Sequence, residues 1–144
     1  MKNRLISITQ KTFYHQDYKC LKEKKPLSRK SRLLTLTPFI DKNDLLRVGG
    51  RLENSGLSYE ERHPLIIPEE SQLAKLIVSF THRILLHSEH HIMLRAIRQG
   101  FYIPRLKNLV RKCIRECKAC TIYKHKFQNQ IMASLPPERV NFSL

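Results

Sequence analysis

Two histidines and two cysteines in the second half of the chain have the spacing of metal ligands. His82 and His87 are separated by four residues, and Cys117 and Cys120 by two. A Cys-x-x-Cys pair lets two thiolates converge on one ion, and two histidines can complete a tetrahedral shell around Zn²⁺. Such a shell leaves no open position for water or substrate. The spacing therefore predicts a zinc ion that stabilises the fold and takes no part in catalysis.

Other histidines and cysteines compete for these roles. His90 and His91 follow soon after the second histidine, and Cys113 lies one helical turn before Cys117. A Cys3His shell or a different pair of histidines is therefore also compatible with the spacing. Without a metal, the cysteines would be buried core residues and the histidines would face solvent. We expect Cys113 to be a core residue and Cys20 to be an ordinary thiol.

The helix that leads to the cysteine pair is rich in Lys and Arg. Arg111, Arg115 and Lys118 lie at i, i+4 and i+7, which predicts an outward cationic face that contacts phosphate. Arg95 and Arg98 would extend this surface if the two helices pack like a helix-turn-helix. A solvated helix face without a ligand is the alternative interpretation of the same pattern.

The whole chain carries a large positive charge. Its 144 residues include 27 Lys and Arg against 12 Asp and Glu, a formal net charge of +15 at pH 7. This charge favours polyanionic partners such as DNA, RNA or an acidic protein, and no small-molecule substrate is expected. The acidic residues show no spacing that would gather carboxylates around Mg²⁺, so no catalytic apparatus is predicted.

The first residues and the apolar runs bear on where the protein acts. Residues 1–11 lack the apolar segment of a secretory signal, so the four cysteines do not indicate a secreted disulfide protein. Apolar runs such as Leu76–Phe80 are far shorter than the roughly 18 residues of a membrane span. We expect an intracellular protein, nuclear or cytoplasmic, without a membrane partner.

The pattern along the chain predicts an α+β protein in which a small β-rich N-terminal lobe precedes a helical, helix-turn-helix-like zinc-binding domain. The expected parts are an N-terminal helix and basic connector over 1–32, a β-rich lead-in over 33–68, the His2Cys2 zinc-binding domain over 69–127 and a linker over 128–144.

Within the first two parts, one helix and three strands are expected. The apolar face of the helix would contain Leu5, Ile6, Thr9, Phe13 and Leu21. The strands are predicted at 33–39, 45–48 and 63–68, with a turn over 41–44. Gly49 and Gly50, followed by Arg51 and Leu52, would form a reversal or bulge in which glycine supplies positive φ.

Three helices are predicted in the zinc-binding part. The first begins after a Ser71 cap, and its expected apolar face is Leu73, Leu76, Ile77, Phe80 and Ile84. The second runs from about 90 to 99 through Met93, Leu94 and Ile97. The third follows Pro104 and has Leu106, Leu109, Val110, Cys113, Ile114 and Cys117 on its apolar face.

These segments, from about 36 to 140, resemble the amino-terminal part of the integrase region in BEL/Pao-type LTR retrotransposon polyproteins. The ligand set His82, His87, Cys117 and Cys120 matches the His-His-Cys-Cys zinc-binding domain of that region. The supporting segments are Thr37–Asp41, Leu46–Leu52, His63–Pro68, Leu94–Ile103 and Val110–Cys120. The chain departs from the family at 88–91, where Ser-Glu-His-His stands in place of a nearby glycine.

The resemblance implies a non-catalytic zinc-binding module that ancestrally supports integrase assembly and DNA binding, with self-association as a further expectation. Pro136–Val140 resembles the segment ahead of the Asp-Asp-Glu catalytic core of the family, whose carboxylates would lie beyond Leu144. The chain itself is therefore not expected to be an enzyme. The alternative function is a zinc-stabilised module for protein–protein interaction or oligomerisation without nucleic-acid binding.

Overall fold

A computed structural model describes residues 2–50 and 55–124, together with 134, 136 and 139. Within these residues, helices and a four-stranded sheet are mixed, and this confirms the α+β class. The expected continuation at Arg51 and Leu52 lies outside the described residues, as does the linker over 128–144 apart from the three single residues named above.

The described helices and strands are short. The helices are α1 (Lys2–Phe13), α2 (His15–Lys22), α3 (Tyr59–Arg62), α4 (Gln72–Ile84), α5 (His90–Arg98), α6 (Leu106–Glu116) and α7 (Lys118–Lys124). The strands are β1 (Phe39–Ile40), β2 (Leu46–Arg47), β3 (Leu65–Ile66) and β4 (Phe101–Tyr102). None of these helices is long and apolar enough to cross a membrane.

The N-terminal segment forms two helices where one was expected, and its predicted apolar face is wrong in part. Ile6 is buried as predicted, but Leu5 and Phe13 are exposed, and Gln10 and Tyr18 are buried instead. The polar Gln10 is fully buried. Its amide groups have partners in the sheet, so burial of this residue is not penalised.

Gln10 joins α1 to two strands through hydrogen bonds to their backbones. Its Nε2 atom donates to the carbonyl oxygens of Leu46 at 2.9 Å and Ile66 at 2.8 Å. Its Oε1 atom accepts from the N–H of Leu46 at 2.8 Å. One side chain thus satisfies three buried backbone groups that would otherwise lack partners.

The sheet has the order β1-β2-β3-β4 and connects the two halves of the chain. β1 and β2 pair antiparallel, as do β2 and β3, whereas β3 and β4 pair parallel with Leu65 opposite Phe101 and Ile66 opposite Tyr102. β4 follows α5, so a strand from the helical part of the chain completes the sheet built by residues 39–66. The sheet and the helices consequently fold against each other.

The predicted strand over 33–39 is wrong for most of its length. A short 3₁₀ turn occupies Leu34–Leu36, and Thr37 has a left-handed backbone with φ of 42°. The N–H of Gly49 donates to the carbonyl oxygen of Thr37 at 3.1 Å, and a Cβ atom on Gly49 would collide with that oxygen. Glycine is needed here for this close approach between backbones.

A buried ion pair holds the turn between β1 and β2. Nε of Arg47 lies 2.6 Å from Oδ2 of Asp41, and the two side chains are only 8% and 4% exposed. Arg47 also donates to the carbonyl oxygen of His63 at 2.8 Å. Burial tends to raise the pKa of Asp41, but hydrogen bonds from the Asn43 N–H and from Arg47 outweigh it and lower the pKa.

Helices α4, α5 and α6 pack on one another around an apolar core. The same core includes Ile6 of α1 and Leu65 of β3 beside Val78, Met93 and Val110 from the three helices. Because these residues form one cluster, the helices that contain the metal-ligand candidates are supported by the N-terminal helix and the sheet.

The buried faces of α5 and α6 agree with the sequence prediction better than that of α4. The expected cap is present, because the N–H of Ala74 donates to Oγ of Ser71 at 3.1 Å. The buried faces of α5 and α6 are confirmed. The predicted face of α4 is wrong in part: Leu73 and Ile77 pack against the core, but Leu76, Phe80 and Ile84 are 54%, 60% and 60% exposed. Its buried residues are Ala74, Val78 and His82.

Replacement of Gln10 by Leu tests the role of the buried amide. The volume changes little, but three backbone groups lose their partner, at about 1–3 kcal/mol for each unsatisfied group. We expect the free energy of unfolding in urea to fall by about 3 kcal/mol. Gln16→Leu, at an exposed position of α2, is the matched control. It should change the free energy of unfolding by less than about 0.5 kcal/mol. Equal effects of the two substitutions would contradict this role.

Candidate metal centre

The four ligand candidates are brought together by the end of α4 and by the junction of α6 with α7. His82 lies in the last turn of α4 on its buried side, and His87 follows the helix. Cys117 is the residue between α6 and α7, and Cys120 is buried within α7. Two segments about thirty residues apart in sequence therefore meet at one place.

A tight turn after α4 brings His87 back towards His82. Leu86 and His87 both have positive φ, of 49° and 62°. The N–H of His87 donates to the carbonyl oxygen of His82 at 2.9 Å. Such conformations are unfavourable for residues with a Cβ atom, so the contacts of this turn must hold them in place. A metal bound by both histidines would supply such a contact.

The cysteine pair lies on a break between two helices. α6 ends at Glu116, Cys117 has an extended backbone with ψ of 114°, and α7 begins at the next residue. Backbone N–H groups of Cys120 and Ala119 point at the Cys117 sulfur and lower the pKa of its thiol. This favours the thiolate, which is the form that binds metal ions.

The donor atoms are separated by distances near those of a tetrahedral shell. Nε2 of His82 and Nδ1 of His87 are 2.9 Å apart, and Sγ of Cys117 lies 3.3 Å from the latter atom. Sγ of Cys120 lies 3.3 Å from Nε2 of His82 and 3.6 Å from Nδ1 of His87. Zinc bonds of about 2.0–2.3 Å place tetrahedral ligands about 3.3–3.8 Å apart.

All four donor atoms lie within 4.8 Å of one another and are positioned to bind one metal ion. Two imidazole nitrogens and two thiolates in this geometry suit Zn²⁺. The donor set is complete with four protein ligands, as in zinc sites that stabilise a fold.

The surroundings favour the neutral imidazole that a metal requires. Burial, followed by the charges of His87 and Lys124, lowers the pKa of His82, so its ring is neutral at pH 7. Burial raises the pKa of the Cys120 thiol, and the neighbouring Cys117 raises it further. A cation would reverse that effect by stabilising the thiolate.

The orientation of the His82 ring does not depend on a hydrogen bond within the described residues. Its Nδ1 atom has no hydrogen-bond partner there, so packing and a bound metal would orient the ring.

The competing ligands lie outside this cluster. Among the described residues, the group that could hold a metal contains neither His90, His91 nor Cys113. The rings of His90 and His91 contact each other with 3.8 Å between centroids and an interplanar angle of 40°. Cys113 packs against the apolar core, as predicted, and burial raises the pKa of its thiol.

The predicted phosphate-contacting residues are all exposed, but they do not form one continuous face. Arg95 and Arg98 line a groove next to α3, whereas Arg111 and Arg115 line a different groove of α6. The expected helical spacing of Lys118 is wrong, because the break at Cys117 separates it from α6 and it begins α7.

Three further residues line the same groove as Arg111 and Arg115: His90, Asn108 and Lys124. Lys124 belongs to the basic segment of the sequence, but its place in the groove, like those of His90 and Asn108, depends on how the helices pack.

Loss of one ligand should release the metal and unfold the helices around it. Structural zinc in small domains has apparent binding free energies of about 10–16 kcal/mol, comparable to the whole stability of a domain. We expect Cys120→Ser to lose bound zinc, measured by mass spectrometry of the metal, and most of its cooperative thermal unfolding, measured by circular dichroism.

Cys113→Ser is the matched control for this substitution. Cys113 is on the same pair of helices but lies outside the ligand cluster, so the variant should keep one zinc per chain. A Cys120→Ser protein with the melting curve and zinc content of the wild type would contradict the assignment of the metal centre.

Comparison with known proteins agrees with this geometry. Residues 69–126 match the family described as integrase zinc binding domain, about two-fifths of the chain. Neither the curated proteins nor the solved structures gave a match. The matched segment begins just before α4, ends just after α7 and contains all four metal-ligand candidates, and the domain it matches is a zinc-binding module without catalytic function.

Proposed function

We propose that the chain is a zinc-stabilised, non-catalytic module of an LTR retrotransposon integrase that binds nucleic acid. The observation that supports it most directly is the convergence of His82, His87, Cys117 and Cys120 within a segment that matches the integrase zinc-binding family. The segments named above for the BEL/Pao resemblance make that type of element the source we favour. The ancestral role would be to assist integrase assembly on DNA ends.

The charge distribution supports DNA as the partner. The net charge of +15 attracts a polyanion, and Arg111 and Arg115 project from α6 into solvent. None of the ion pairs found among the described residues involves either arginine, so both guanidinium groups are available to phosphate. Contacts of this kind position a duplex and read little sequence. A nuclear or cytoplasmic location follows from such a partner.

Binding of zinc-loaded protein to labelled duplex DNA across a salt series tests the proposal. Each phosphate contact contributes about −0.9 to the slope of log K against log salt. We expect steep salt dependence in the wild type. In a variant with Arg111→Ala, Arg115→Ala and Lys118→Ala, affinity should fall and the slope should become shallower by about 3.

A control variant carries the same loss of charge at remote exposed positions, Arg4→Ala, Lys19→Ala and Arg29→Ala. Its slope should stay close to that of the wild type. This result would show that loss of positive charge alone does not cause the shallower slope of the first variant. If the wild type does not bind at low salt, nucleic-acid binding is refuted.

An apolar ridge on α4 favours a second function, association between copies of the chain or with another protein. Leu76, Phe80 and Ile84 lie at i, i+4 and i+8 and are each more than half exposed. Exposed apolar side chains in a row on one helix are typical of a surface that packs against a second helix. Such a module would self-associate through this ridge without requiring DNA.

Phe80→Glu tests the second function because Phe80 is the middle residue of the ridge. If the ridge mediates self-association, sedimentation equilibrium should show the association constant falling by about tenfold or more, as for the loss of a central aromatic contact. Phe13→Glu, at an exposed position of α1, is the control and should leave association unchanged. A wild type that stays monomeric at high concentration would exclude self-association.

A further inference from the structure

The groove lined by Arg111 and Arg115 is built from three helices. Its volume is about 420 Å³. The lining residues are His90, Asn108, Arg111, Ile114, Arg115 and Lys124. They come from the first residue of α5, the length of α6 and the last residue of α7. The site is therefore a concave surface formed by packing, and not merely one charged helix face.

The groove contains hydrogen-bond donors and no carboxylate. Arg111, Arg115 and Lys124 are cations, and none of them takes part in an ion pair found among the described residues. Asn108 and His90 add neutral polar groups. Desolvation, followed by the charges of His91 and Arg111, lowers the pKa of His90, although Glu89 acts in the opposite direction. Such a lining suits an anion with several acceptor oxygens.

The metal centre determines where one wall of the groove lies. Lys124 follows Cys120 by one turn of α7, and its charge is close enough to lower the pKa of His82. The N–H of Thr121 donates to the carbonyl oxygen of Cys117 at 3.0 Å, so α7 starts directly from the ligand pair. A metal that fixes both cysteines therefore holds Lys124 across the groove from Arg115.

We propose that this groove binds a backbone phosphate of nucleic acid and thereby anchors the duplex on the protein. We call this binding site the phosphate seat. The inference rests on the proposed function and assigns the main contact with nucleic acid to this groove. Arg95, Arg98 and Lys118 lie outside the groove. Asn108 and Lys124 become part of the binding site.

The substitution Asn108→Asp tests the seat because it is isosteric and introduces a negative charge among the donors. We expect the affinity of zinc-loaded protein for a labelled duplex at low salt to fall by about tenfold or more, since a like charge then faces the phosphate. Asn3→Asp makes the same change in charge at an exposed position of α1 and should change affinity by less than about twofold.

A second pair of substitutions removes one cation each. Lys124→Ala should weaken binding and make the salt slope shallower by about 1. Lys112→Ala removes another exposed lysine, which lines the other side of α6, and the salt slope of this variant should change much less. Zinc content and melting curves of all four variants check that the fold is kept.

The outcomes separate this inference from the proposed function. If the triple alanine variant loses DNA binding but Asn108→Asp behaves like Asn3→Asp, nucleic-acid binding stands and the groove is refuted. If the wild type does not bind the duplex at low salt, both are refuted.

Nuclear magnetic resonance with added pyrophosphate provides an independent readout of the seat. Shifts confined to the residues that line the groove support the seat, and shifts spread over all exposed lysines and arginines overturn it. Tight binding of pyrophosphate without duplex binding also overturns a nucleic-acid seat and indicates a site for free phosphate compounds.

Discussion

The convergence of four side chains on one metal position is the constraint on which the helical half of the structure depends. His82 and His87 come from the end of α4, and Cys117 and Cys120 from the junction of α6 and α7. A small domain buries limited apolar area, so a cross-link between distant segments contributes much of its stability. The metal also favours a turn that is otherwise strained, because Leu86 and His87 both have positive φ.

The position of His82 explains why one helix face was predicted wrongly and two were predicted correctly. Leu76, Phe80 and Ile84 have the spacing of a core stripe, yet α4 turns Ala74, Val78 and His82 inward. A helix can bury one face only, and the ligand shares its face with the residues four and eight positions before it. On α5 and α6 no such requirement opposes the apolar pattern, and there the pattern predicted the buried residues.

The ligand set and the α+β class could be predicted from the sequence because they rest on local spacing and composition. Gln10 could not be recognised as a core residue, since its partners at Leu46 and Ile66 are 36 and 56 residues away. The pairing of β4 with β3 is equally remote in sequence. Interactions that satisfy backbone groups across such separations leave no periodic signal, and only the packed structure shows them.

If the chain binds nucleic acid as proposed, the metal would contribute to that binding by positioning side chains and not by adding charge. Zn²⁺ held by two thiolates and two neutral imidazoles has no net charge, and neither do two thiols and two neutral imidazoles without it. The long-range field of the protein is therefore set by its Lys and Arg residues with or without the metal. A metal bound by both cysteines would fix the start of α7, and with it the position of Lys124 relative to the arginines of α6.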